Sequence, residues 1–208
     1  VISMAGRFIM LEGLDGSGKS TQIARLAQSL RARGRRVHCT AEPTDSATGG
    51  LIRDTLRGNC RRSGAELGAL FLTDRIAHNV NPVWGFQRLL KEDWDVICDR
   101  YYYSSFAYQG LSTDLEWVMD MNLKCPEIGK PDLCVFLDVD YKKCKERLDR
   151  DRASLEIFER DPEQMNATRQ LFFSVFQRLE GRENIQVVDA NDTPDQVAAK
   201  IFALVEQL

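Results

Sequence analysis

The chain has 208 residues, of which 43% are apolar and 28% charged, with a formal net charge of −3. That length suits one domain, residues 1–208, with a sizeable core, and the slight acidity removes any general electrostatic case for nucleic-acid binding. No apolar stretch reaches the roughly 20 residues of a membrane-spanning helix, so neither a nucleic acid nor a membrane is expected as a partner.

The start, Val1-Ile2-Ser3-Met4, is too short for a signal peptide, and Met4 reads as the natural start. The apolar run Phe8-Ile9-Met10-Leu11 predicts a buried parallel strand. Gly13-Leu14-Asp15-Gly16-Ser17-Gly18-Lys19-Ser20 then spells Gly, four residues, Gly-Lys-Ser, and Thr21 to Leu30 carries apolar residues at helical spacing. Strand, glycine-rich loop and helix is the context that confirms a phosphate-binding loop. Its glycines let backbone N–H groups curl toward phosphate, and the helix N-terminus adds partial positive charge. Lys19 is expected to reach the outer phosphates and the Ser20 hydroxyl to ligate Mg²⁺. Gly13 through Thr21 is therefore the candidate triphosphate site. Arginines at 31, 33, 35 and 36 read as the solvated end of the helix.

A second strand is expected at Arg36–Ala41, followed by a turn over Glu42-Pro43-Thr44-Asp45-Ser46. Gly50–Leu56 predicts a short helix closed near Gly58, and Ala65 to Leu90 a long helical segment that Pro82 kinks or breaks. Strands follow at Asp95–Asp99 and Leu133–Asp138, the second introduced by Lys130-Pro131-Asp132. Tyr141 to Leu148 continues as helix. Arg147 to Arg160 is charged, carries little apolar surface and is the candidate mobile lid. A helix from Pro162 to Leu179, a strand at Ile185–Asp189 and a last helix capped by Thr193-Pro194-Asp195 complete the chain. Apolar strands alternating with helices make the fold class α/β with a parallel sheet. None of the six cysteines pair at a two-residue metal spacing, and they read as buried free thiols of a reducing cytosol. His38 and His78 stand alone and receive no chemistry.

A phosphate loop by itself leaves ATPase, GTPase and kinase open. Guanine recognition usually needs an Asn-Lys-x-Asp segment, and Asp189-Ala190-Asn191-Asp192 lacks the lysine. Asp99-Arg100 ends the third strand, at the edge of the sheet where ligands bind. Asp99 is placed to contact Mg²⁺ through water and Arg100 to clamp a phosphate; a surface ion pair is the alternative. Phe71 and Arg75, four apart on one helical face, can stack on a base and donate to its carbonyl edge, although a Phe at that spacing is more often core.

Taken together, Phe8 through the phosphate loop to Thr21-Gln22, Glu42-Pro43, Phe71 with Arg75, Asp99-Arg100-Tyr101, Ser104-Ser105-Phe106-Ala107-Tyr108-Gln109-Gly110 and Lys130-Pro131-Asp132 resemble the thymidylate kinases nearly end to end. The resemblance implies a P-loop NTPase-type fold with five parallel strands flanked by helices, a cytoplasmic homodimer, and transfer of the ATP γ-phosphoryl group to dTMP with Mg²⁺. It implies that Phe71 stacks on thymine, Arg75 addresses its O4 edge, and Ser104, Ser105, Tyr108 and Gln109 line the nucleoside pocket. Arg53 and Arg100 would hold the acceptor phosphate, and Asp15 would orient the acceptor near its 3′-hydroxyl. The segment Asp189–Asp192 would border adenine.

Some thymidylate kinases carry a catalytic arginine in the phosphate loop and others in the lid. Position 16 is Gly here, whereas the lid stretch offers Arg147, Arg150 and Arg152, so the chain resembles the bacterial type with lid arginines. A solvated charged helix end is the alternative. Ala41 stands where many relatives have Arg, and Ile157 where the lid often carries one. Another nucleotide or deoxynucleoside kinase on the same scaffold remains open, as does a non-catalytic nucleotide-binding module. Intact Asp15, Lys19, Ser20, Asp99 and Arg100 speak against the module.

Overall fold

Strand β1 (Phe8–Glu12) is buried along its whole length, and successive residues feed opposite faces of the sheet. Ile9 and Leu11 join one apolar cluster with the helices on one side, whereas Phe8 and Met10 join a second, aromatic cluster on the other. A continuous apolar run is what a central parallel strand requires. The structure, a computed structural model, describes residues 6–151, 156–158 and 161–208.

Within these residues β1 is followed by α1 (Lys19–Ala32), β2 (Arg36–Ala41), α2 (Ala47–Leu56), α3 (Gly64–Val80), α4 (Gln87–Lys91) and β3 (Trp94–Asp99). Then come α5 (Tyr102–Tyr108), α6 (Leu115–Leu123), β4 (Leu133–Asp138), α7 (Tyr141–Asp151), α8 (Pro162–Arg178), β5 (Ile185–Asp189) and α9 (Pro194–Val205). The strands form a five-stranded sheet in the order β2-β3-β1-β4-β5, every pairing parallel. The α/β class and the five-stranded parallel sheet flanked by helices are thus as expected. Chain order reverses at β1, so the loop after β1 opens at the switch point where ligands bind in open α/β sheets. Ala41, Asp99, Glu12, Asp138 and Asp189 end their strands along that edge.

Some expectations hold and others are corrected. The helical segment from Ala65 to Leu90 breaks around Pro82 as expected, with α3 ending at Val80 and α4 starting at Gln87. Asn81 is forced to an extended ψ of 129° ahead of Pro82, and its side-chain oxygen accepts the Val83 and Trp84 N–H groups to close the turn. Helices α5 and α6 are additions to the expected elements. Every residue of α5 is buried, so it shows no amphipathic period. Arg35 is no solvated helix end: it donates to the carboxylates of Asp95 and Asp93, and Arg7 shares Asp95. Helix α7 runs three residues past the expected Leu148, into the lid stretch. That stretch is also less polar than its composition suggested, since Ile157 and Phe158 pack on a cluster of Ile52, Leu56 and Leu67. All six cysteines are unpaired, but only Cys98, Cys134 and Cys144 are buried: Cys39 is exposed, and Cys60 and Cys125 are half-buried. The segment 1–5 and Arg152 lie outside the described residues, and no described helix is long and apolar enough to cross a membrane.

Candidate active site

The loop between β1 and α1 is built to receive an anion. Gly18, the N-cap of α1, sits at φ 97°, a left-handed conformation that favours glycine, and supplies no capping side chain. The first-turn N–H groups of α1 therefore meet neither an intrahelical acceptor nor a cap. The Ser17 hydroxyl is also buried without a partner. Lys19 lies beneath, its Nζ donating to the Gly13 and Leu14 carbonyls at 3.1 Å each. Burial pushes the Lys19 ammonium below its ordinary pKa and Arg100 adds to the push, while Asp99, Asp15 and Glu12 oppose it. An arriving phosphate would relieve that cost.

A cavity of about 610 Å³ opens over the loop. Asp15 through Gln22 line its floor, Ala190, Asp192, Pro194 and Val197 one wall, and Arg147 and Leu148 of α7 another. The segment after β5 thus reaches the cavity. Leu14 turns into the core, so only its backbone serves the loop. Arg147 donates from Nη1 to the Gly16 carbonyl at 3.0 Å, which brings α7 directly onto the loop. A Cβ on Gly16 would sit 2.6 Å from the Cys144 carbonyl oxygen, so a side chain there and this position of α7 exclude each other. Arg150, on the same helix, is exposed and does not line the cavity.

A second cavity, of about 210 Å³, adjoins the first. Phe71, Arg75, Arg53, Tyr108, Gln109 and Ser104 line it, with Glu156 and Phe158 closing one side. Asp15, Glu42 and Arg100 line both cavities and mark their junction. There Arg100 donates to Asp15 at 2.8 Å and to the Ser104 hydroxyl at 2.9 Å, and lies over the Tyr108 ring at 5.2 Å. Its backbone is held at φ 68°, unusual for a residue with a Cβ. Burial works against its charge, yet Asp15, Tyr108, Asp99 and Glu12 together hold its pKa well above the ordinary value. The junction therefore carries a fixed cation.

Behind this wall lie residues to which the sequence assigns no individual role. Glu12, fully buried, accepts the Tyr101 and Ser104 N–H groups and the Ser104 hydroxyl, and so fixes the start of α5. Glu42 bridges Arg75 and His78, and His78 reaches on to the Thr40 hydroxyl at 2.7 Å. Arg75 also donates to Asn122 at 2.6 Å and to Ser105 at 3.1 Å, which leaves its guanidinium 1% exposed. Ser105 stands behind Arg75 rather than on the cavity wall. Phe158 lies 5.2 Å from the Tyr108 ring, and the Ile157 N–H donates to the Leu56 carbonyl. An apolar pair within a charged stretch was the readable signal for this contact. Asn122 had none, since only the tertiary fold brings α6 against α3.

For a metal, the donor chemistry is that of hard oxygens. Ser20 and Asp99 both line the loop cavity, and Asp99 Oδ1 is buried with no hydrogen-bond partner among the described residues. An orphaned carboxylate oxygen beside a phosphate loop fits a hydrated divalent cation.

The family model described as thymidylate kinase matches residues 11–201. A probable thymidylate kinase of Caldivirga maquilingensis is 34% identical over 96% of this chain and 93% of its own length. One from Pyrococcus horikoshii is 34% identical over 98% of this chain and 97% of its own. Among solved structures, a thymidylate kinase from Candida albicans is similar with a TM-score of 0.82 and 25% identity, over 98% of this chain and 92% of that one.

Proposed function

The chain belongs to the thymidylate kinase family and acts as a nucleoside monophosphate kinase on dTMP, and we propose that it does so by holding ATP on the phosphate loop and dTMP in the adjoining cavity, with transfer at Asp15 and Arg100. The observation that carries this reading is the shared wall: a loop cavity and a smaller aromatic cavity meet at one carboxylate and one fixed cation.

Phosphoryl transfer needs two anions brought in line and their charge neutralised, with little covalent help from the protein. Gly13 through Thr21 bind the ATP phosphates, with Lys19 moving from the loop carbonyls to the transferred group. Arg53 and Arg100 hold the dTMP phosphate. Asp15 orients the acceptor and balances Arg100. Phe71 stacks on thymine; Arg75, fixed by Glu42, Asn122 and Ser105, addresses its O4 edge, and Ser104, Tyr108 and Gln109 complete the nucleoside pocket. Ser20 and Asp99 would hold Mg²⁺, which when bound would neutralise phosphate charge.

The remaining positive charge comes from the lid, about residues 147–160 of one domain, through Arg147, Arg150 or Arg152. The clash that a side chain on Gly16 would make with α7, and the bond from Arg147 to the Gly16 carbonyl, support this division of labour. By analogy with its family the protein works as a cytoplasmic homodimer. The test is dTDP formation from ATP and dTMP, with divalent metal supplied and then chelated. Transfer stops on chelation, and transfer that continues without metal contradicts the assignment of Ser20 and Asp99.

A further inference from the structure

Two neighbouring residues of α3 serve opposite ends of the acceptor cavity. Arg75 faces the base end, whereas Asp74 faces the loop that leads into α2. The Asp74 side chain is buried and accepts three hydrogen bonds from that loop: the Thr44 N–H at 2.8 Å, the Thr44 hydroxyl at 2.6 Å and the Ser46 hydroxyl at 2.8 Å. Ser46 is the N-cap of α2, and its oxygen takes the Gly49 N–H at 3.2 Å. The Thr44 carbonyl is pressed against α2 so closely that a Cβ on Gly49 would lie 1.8 Å from its oxygen.

The same loop receives Arg53. Its Nη1 donates to the Thr44 carbonyl at 2.5 Å and to the Pro43 carbonyl at 3.2 Å, which holds the guanidinium at the wall of the acceptor cavity. Asp74 grips the N–H and hydroxyl of Thr44, and Arg53 hangs from its carbonyl. We propose that Asp74 is a positioning residue for acceptor-phosphate binding: through Thr44 and Ser46 it fixes the carbonyls on which Arg53 is mounted. A hydrogen bond to a charged group is strong enough to make this matter for affinity. The inference rests on the reading of Arg53 as a phosphate ligand.

The experiment compares binding of dTMP, thymidine and ATP to the full chain carrying Arg53→Ala, Asp74→Asn, Thr44→Val, or Arg53→Ala with Asp74→Asn. Asp74→Asn and Thr44→Val are each expected to weaken dTMP by about tenfold or more, with thymidine and ATP affinity nearly unchanged. In the Arg53→Ala background Asp74→Asn adds little further loss. Equal loss of dTMP and thymidine, or no loss of dTMP, overturns the positioning role. If Asp74→Asn does not fold, Thr44→Val carries the same comparison. If Arg53→Ala itself keeps full dTMP affinity, the reading of Arg53 fails instead.

Discussion

At the scale of single residues, Gly16 is the position where sequence and structure inform each other most. Its identity points to charge supplied from the lid. Its geometry adds that α7 occupies the space a side chain would need. Gly16→Ala should therefore both strain a backbone at φ 80° and push on Cys144. Gly34 is the natural control, with φ 81° and nothing within 4 Å of the point a methyl group would occupy. We expect Gly16→Ala to cost about 1–3 kcal/mol more than Gly34→Ala in chemical denaturation; equal losses would show that α7 yields freely. Replacing Arg147, Arg150 and Arg152 together by Ala is expected to lower kcat by about 10²–10³ while dTMP affinity holds. Unchanged turnover would locate the transferring charge elsewhere. The loop residues were legible because their chemistry is local and contiguous. The bonding roles of Glu42, Asp74 and Asn122 were not, because their partners lie 30 or more positions away in the chain.

At the scale of elements, strands were readable wherever burial on both faces left continuous apolar runs, as in β1, β3 and β4. Caps were readable too: Thr193 forms a capping box with Gln196 at the start of α9. Helix α5 was hidden by its complete burial, and the role of Arg35 was hidden because its acceptor, Asp95, enters from another strand. That acid ties the start of β3 to Arg7 and Arg35. Burial would raise its pKa, but the bonds from Arg7 and Arg35 prevail and hold it at about 2, against an ordinary 3.8. On acidification the unfolded chain takes up the proton first. The stabilisation is therefore full above about pH 4 and is lost as the pH falls toward 2. Asp95→Asn should flatten that acid limb of the stability curve and, at neutral pH, cost about 1–3 kcal/mol by leaving part-buried arginine donors short of a charged acceptor. A variant with the wild-type acid limb would remove Asp95 from the account.

At the scale of the whole molecule, strand order could not be read from one sequence, since it depends on which strands pair. The order β2-β3-β1-β4-β5 nonetheless explains why distant segments converge. The ends of β1 and β3 lie side by side, with Leu11 opposite Asp99, so the phosphate loop and Asp99-Arg100 share one edge of the sheet. Helices α2, α3 and α5 then build the acceptor cavity against that edge, and α7 approaches from the other side. This convergence suits the family's chemistry, phosphoryl transfer to a nucleoside monophosphate. The most direct test is to offer ATP with dTMP, dUMP, dCMP, dGMP and thymidine and to identify each product. The account predicts dTDP from dTMP and no transfer to thymidine, whose missing phosphate leaves Arg53 and Arg100 unengaged. Transfer to thymidine but not to dTMP, or ATP binding without transfer to any acceptor, would contradict it.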